Sequence, residues 1–235
     1  MINCTIKYIL LGVLLLSILV SCNAEKRKNS VEDEKKMGIY RVVIELILDD
    51  ENQKDLLLNE LGKVTLDSYQ WKNHIVLYGA AEDTVGLNSR IRQTGIRLKT
   101  KYYNTPMYVF DRSVRCPDSV VEDAWNDYLL TANLVADSVL QQEYLDFHAK
   151  QFDEWPEVAE GFCKAGFQQL LVFKNGRQLM LVISVPADKT LDELNPKTIE
   201  NNPRMIEWNQ IMGKYQKGIE GTSPEEIWVF LSKIK

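Results

Sequence analysis

Apolar and polar positions alternate along Ile39–Leu48: Tyr40, Val42, Ile44, Leu46 and Leu48 face one way, Arg41 and Glu45 the other. A period of two predicts a half-buried strand. Asp49 or Asp50 then caps a helix running to Leu61, which Gly62 stops. Two strands follow, Val64–Trp71 and His74–Gly79, joined through Lys72 and Asn73 in a tight hairpin turn. A second helix spans about Glu82 to Gln93 and ends at Thr94-Gly95. Further strands run from Ile96 to Asp111, interrupted near Asn104-Thr105-Pro106. Arg112 to Val121, with Pro117, is a link.

After the link the order starts again. Tyr128, Leu130, Ala132 and Leu134 alternate with Leu129, Thr131 and Asn133, and Asp137 or Ser138 caps a helix carrying Tyr144 and His148. Trp155-Pro156 interrupts that helix, because the residue before proline resists helical geometry while proline suits a new first turn. A short helix continues to Gly166. Phe167–Phe173 and Gln178–Val185 are strands around the Lys174-Asn175-Gly176-Arg177 turn. A polar passage with Pro186, Pro196 and Pro203 leads to a helix from about Arg204 to Gln216, and Glu226–Ile234 is the closing strand. Each half reads β-α-β-β-α-β, so the fold class is α+β, two tandem ferredoxin-like halves about ninety residues apart. Residues 38–115 form the first half and 118–235 the second. Two such sheets packing face to face make an α/β barrel within one chain, with a pocket expected inside it.

Composition adds an address. Lys7 precedes an apolar run, Tyr8–Val20, too short to span a bilayer comfortably but suited to a signal-peptide core. It ends in Leu19-Val20-Ser21-Cys22, which resembles the bacterial lipoprotein cleavage box. Residues 1–21 are therefore expected to be a signal peptide, and Cys22 the lipidated residue. Residues 22–37, nearly all polar or charged, serve as a flexible tether. The protein is thus expected to hang by lipid from a bacterial membrane, on the periplasmic or cell-surface side. The formal charge is −5 and no basic cluster stands in the folded part, which argues against nucleic acid as a partner. With Cys4 lost and Cys22 lipidated, Cys116 and Cys163 remain in a compartment that allows a disulfide. Cys163, in an apolar helical pattern, reads more simply as a buried small residue. Neither CxxC nor a His/Cys cluster with metal spacing occurs, so no structural metal is expected.

The candidate chemistry lies in the second half. Tyr144 and His148, four apart on a helix, share one face, and a phenol beside an imidazole suits proton movement near neutral pH. His74, on a hairpin strand, reads as structural. The run Tyr144-Leu-Asp-Phe-His148-Ala149, then Trp155-Pro156-Glu157-Val158, Gly166, the strand Leu170–Phe173, Trp208, and Glu226-Ile227-Trp228-Val229-Phe230 resembles the L-rhamnose mutarotase family over about residues 125–235. The resemblance implies interconversion of the α and β anomers of a reducing, 6-deoxy sugar such as L-rhamnose. His148 would be the acid/base residue and Tyr144 and Trp208 sugar ligands. Trp155 is a further binding candidate. No cofactor is implied, and the partner is a monosaccharide. The His148–Trp155 spacing is longer than the family's by about three residues. A sugar-contacting tyrosine of the family falls near Leu170. The competing reading is a non-catalytic carbohydrate-binding lipoprotein of the same barrel type. Aligning Asp49 with Asp137 sets Leu56 opposite Tyr144 and Glu60 opposite His148, which makes the first half a diverged copy kept for its shape. Oligomeric state is not legible.

Overall fold

The computed structural model describes residues 41–118 and 120–234; the expected signal segment, the tether and Cys22 lie outside the described residues. The first half runs β1 (Arg41–Leu48), α1 (Lys54–Leu61), β2 (Asp67–Trp71), β3 (His74–Ala80), α2 (Leu87–Gln93) and β4 (Leu98–Tyr103). β5 (Pro106–Asp111) and the single turn α3 (Arg112–Arg115) lead to the second half. That half runs β6 (Trp125–Leu134), α4 (Ser138–Glu154), α5 (Pro156–Ala165), β7 (Gln169–Asn175) and β8 (Gln178–Pro186). It then continues through α6 (Leu191–Leu194), α7 (Pro203–Gly213), β9 (Gln216–Lys217) and β10 (Val229–Lys233).

Local chemistry sets these limits. Asp137 accepts hydrogen bonds from the Val139 and Leu140 amides, and Gly166, at φ 85°, ends α5 in a left-handed conformation that costs a glycine little. Trp155 separates α4 from α5, with Pro156 in the first turn of the new helix. The helix expected over 82–93 is divided, because Gly86 at φ 78° turns the chain between a short 3-10 turn and α2. The polar passage before α7 contains α6, whose Thr190 and Glu193 form a capping box.

All strands pair antiparallel, in the order β4-β1-β3-β2-β10-β6-β8-β7-β5, and β9 adds to β6. Each half keeps the ferredoxin-like strand order, and the halves are stitched by two strands that cross over. β5 leaves the first half to pair with β7, and β10 pairs through Val229–Leu231 with β6 and through Ser232 and Lys233 with β2. The Asn175 side-chain amide donates to the Tyr102 carbonyl at 3.0 Å, so β4 meets β7 and the barrel all but closes.

Three apolar layers result. One lies between the first sheet and its helices, one between the second sheet and its helices, and the third fills the barrel with Val43, Tyr69, Tyr78, Leu171, Phe173 and Met180 among others. β1 is consequently buried on both faces rather than half-buried: Val43 and Glu45 are both 0% exposed. Glu45 enters the barrel, where it accepts from Gln178 Nε2 at 2.9 Å and Tyr103 O–H at 3.1 Å and meets His74 Nδ1 at 2.7 Å. Counting back from Leu48 and Leu134, Glu45 is the counterpart of Thr131, and Gln178 also donates to Thr131 Oγ1 at 3.0 Å. By the same count Arg41 is the counterpart of Asp127, and these two form an ion pair at 3.1 Å.

Cys116 and Cys163 are joined in a disulfide with a Cα–Cα distance of 5.5 Å, which corrects the simpler reading of Cys163. The pairing was hidden by a sequence separation of 47 residues; α3 brings the link over α5.

Removing the Glu45 carboxylate leaves His74, Lys101 and Gln178 without their common acceptor. Glu45→Ala is expected to cost about 3–5 kcal/mol, as breaking a buried ionic cluster does. Glu60→Ala breaks only a surface pair with Lys63 and should cost under about 1 kcal/mol. Chemical denaturation of the two variants against the parent chain measures both.

Candidate active site

The barrel interior expected to hold the pocket is packed shut. The cavity lies instead on the opposite face of the second sheet, under α4, α5 and α7, with a volume of about 660 Å³. Its floor is built from the helix-facing residues of β6, β7 and β8, such as Leu130, Leu170, Val172 and Ile183. Tyr144 and His148 on α4, Trp208 and Asn209 on α7, Gln216 on β9 and Trp228 before β10 form polar and aromatic parts of the wall.

The histidine is fixed in one tautomer. Its Nδ1 lies 2.9 Å from the Tyr144 carbonyl oxygen. A carbonyl only accepts, so Nδ1 carries the hydrogen and Nε2 is the basic nitrogen of the neutral ring. The imidazole is 8% exposed and packed by Tyr144 at 4.2 Å between ring centres, by Trp208 at 5.3 Å and by Tyr108 at 5.3 Å. Burial lowers its pKa to about 4, against the opposing pull of the Tyr144 carbonyl. At pH 7 the ring is therefore neutral, a base held ready.

Tyr144 is 1% exposed, and burial pushes its phenol above the ordinary value, with the Gln216 hydrogen bond opposing. The phenol stays protonated. Gln216 accepts from the Trp228 indole N–H at 3.1 Å and turns its amide N–H toward the Tyr144 oxygen at 3.5 Å. That orientation leaves the phenolic proton free to be given to a ligand.

Of the residues singled out in the sequence, Tyr144, His148 and Trp208 come together on the cavity wall. Trp155 stands behind it: the ring packs on Trp208 at 5.6 Å, and the Arg204 guanidinium covers it at 3.6 Å. The residues that add to the His148–Trp155 spacing extend the last turns of α4, where Gln151 donates to the Trp155 carbonyl at 2.7 Å. His74 is a partner of Glu45 inside the barrel. The cap of the first helical segment falls on Asp50, not Asp49. This moves the counterparts of Tyr144 and His148 by one residue, to Leu57 and Leu61, both buried in the first half's core. Tyr108, Gln216 and Trp228 were not singled out. Trp228 lay within the closing motif; Tyr108 carried no signal, because its strand belongs in sequence to the other half.

A half-open, largely apolar cavity holding one neutral, buried imidazole beside a ferredoxin-like sheet defines a class of α/β-barrel proteins with room for a small molecule. Residues 128–234 match the family described as L-rhamnose mutarotase. The L-fucose mutarotase of Xanthomonas campestris pv. campestris is 29% identical over 97 residues, covering 39% of this chain and 72% of that protein. A UPF0734 protein of Dictyostelium discoideum is 30% identical over 95 residues, 40% of this chain and 74% of its own length. Among solved structures, a monooxygenase-like protein from Listeria innocua superposes with a TM-score of 0.39 at 13% identity, over 85% of this chain and 97% of its own. Through its second half, the chain is similar to the L-rhamnose mutarotase family.

His148 is expected to titrate with a midpoint of about 4 in the folded protein, read from its ring resonances by NMR. Between the unfolded value near 6.5 and the folded value, only the unfolded chain takes the proton, so stability falls as pH drops through that window. A midpoint near 6.5 would show the ring open to water.

Proposed function

We propose that the protein is a mutarotase that interconverts the α and β anomers of a reducing 6-deoxy sugar, with L-rhamnose and L-fucose the first candidates. The observation that carries this reading is His148 Nε2, a neutral base on the wall of a cavity shared with Tyr144 and Trp208 in the family-matched segment. The anomeric hydroxyl gives its proton to Nε2 as the bond from C1 to the ring oxygen opens. The imidazolium then returns a proton to that oxygen, leaving the open-chain aldehyde. Rotation about C1–C2 and reclosure by the reverse transfers give the other anomer. Tyr144 donates its phenolic proton to a sugar hydroxyl, and Trp208 offers an aromatic surface to the C–H side of the ring. Positioned acid–base groups give on the order of 10²–10⁴-fold, enough for a reaction that already runs slowly in water.

A binding-only role would fit a histidine displaced by the longer spacing to Trp155. The extra residues lie C-terminal to His148, and the imidazole still lines the cavity, which favours catalysis. The proposed address is the outer side of a bacterial membrane, with lipid on Cys22. The Cys116–Cys163 disulfide supports an oxidising compartment.

Saturation-transfer NMR on L-rhamnose and L-fucose tests the activity. His148→Ala should lower exchange by about 10²-fold or more, while Tyr144→Phe should act mainly on binding, at about 1 kcal/mol. Full exchange in His148→Ala would remove the mechanism. For the address, the parent chain should enter the detergent phase on partitioning and Cys22→Ala should not; equal behaviour would remove the anchor.

A further inference from the structure

The cavity belongs to the second half, yet one of its aromatic walls comes from the first. Tyr108 lies on β5, which continues the chain of the first half's last strand and adds to the second sheet beside β7, opposite Val172. Its ring meets the His148 imidazole nearly at right angles, 85° at 5.3 Å, and stacks on Phe152 at 5.4 Å. Its hydroxyl donates to Gln151 Oε1 at 2.6 Å, and the other end of that amide holds the Trp155 carbonyl. One phenol thus touches the imidazole one turn of α4 before the point where it ties down the helix end.

The stretch after β5 fastens the same region. The Arg115 guanidinium lies 3.5 Å over the Phe152 ring, Arg112 Nη1 donates to the Cys163 carbonyl at 2.9 Å, and Cys116 is bonded to Cys163 on α5. Residues 106–116 form a strap across α4 and α5, and Tyr108 is where the strap reaches the site.

We propose that Tyr108 is a positioning residue that holds the His148 imidazole in its proton-transferring attitude, so that both halves of the chain build the site. This rests on the mutarotase reading for its kinetic consequence but not for its geometry. The Tyr144 carbonyl fixes one edge of the imidazole through Nδ1, and a ring held at one edge alone can still swing about it. Trp208 from α7 and Tyr108 from β5 close on it from other elements. The Tyr108 hydroxyl is committed to Gln151, which suits it to holding rather than to binding sugar. The titratable groups packed on His148 are the phenols of Tyr144 and Tyr108; Trp208 is uncharged. Both phenols are pushed up by burial, so neither ionises in the working range, and Arg115 acts on Tyr108 in the opposite direction. Tyr108 also withholds water from the imidazole, and the low basicity of His148 depends on that exclusion.

Two substitutions in the full chain test this, each with two readouts. Tyr108→Ala opens the site to water beside His148. The NMR midpoint of His148 should rise by about one pH unit or more toward 6.5, and kcat for anomer exchange should fall about ten-fold with KM within about two-fold. Tyr108→Phe keeps the ring and frees Gln151, so the midpoint should stay and kcat should fall about three-fold. If Tyr108→Ala does not fold, Tyr108→Phe decides alone, and an unchanged kcat overturns the proposal. An unchanged midpoint and kcat in a folded Tyr108→Ala overturn it too, and so does a loss confined to KM, which would make Tyr108 a sugar ligand. The titration needs no sugar: if the parent chain exchanges no anomers, the mutarotase reading fails, while a raised midpoint in Tyr108→Ala still supports the positioning role.

Discussion

Glu45 lies in the middle of β1 with no exposed surface, and the joining of the two halves depends on how its charge is satisfied there. Burial alone pushes the carboxyl up. His74, Lys101 and Gln178 outweigh burial and hold it below its ordinary value, so it is ionised at neutral pH. Three of the groups around it, His74, Lys101 and Tyr103, come from its own half, and Gln178 comes from the other. Apolar packing between the sheets does not discriminate strongly between registers, since one buried leucine or valine replaces another at small cost. A buried carboxylate with fixed partners does, because any other register leaves it unpaired. Along the same seam β5 crosses into the second sheet, which delivers Tyr108 to a site in the other half.

The two halves show what one fold does with different residues on the same helix face. In the first, Leu57 and Leu61 fill the space between helix and sheet and leave solid core. In the second, Tyr144 and His148 occupy the corresponding turns beside a cavity, and their polar atoms are met by the Tyr144 carbonyl and by Gln216. Desolvation keeps His148 neutral, and aromatic contacts on several sides restrict its ring. Function therefore needs the cavity to stay apolar around one basic atom, a condition the fold meets by burying an imidazole where its counterpart buries isobutyl groups.

Much of this was legible in the chain. Alternation gave the strands, the Lys72-Asn73 and Asn175-Gly176 turns gave the hairpins, and Asp137, Pro156 and Gly166 marked helix limits that the backbone obeys. The i, i+4 spacing of Tyr144 and His148 put them together, and the family pattern brought Trp208 to the same place. What was not legible depends on pairing at long range. Glu45 looked like a solvent-facing residue because alternation cannot reveal that a second sheet covers the outer face. The cavity was expected in the barrel because nothing local says how fully Tyr69, Tyr78, Phe173 and Met180 fill it. Tyr108 and the Cys116–Cys163 bond went unseen because both join segments distant in sequence.

The Arg41–Asp127 pair makes the two halves electrostatically unlike at the seam. The two residues hold equivalent places in the two halves and face each other across the seam, with Asp127 also accepting from Ser184. Two identical copies of either half, meeting in this way, would set guanidinium against guanidinium or carboxylate against carboxylate. Like charges at that distance, with Asp127 already raised by burial, would push such a pair apart. With opposite charges in the two positions, each half is matched at this point of the seam to the other half and not to a second copy of itself.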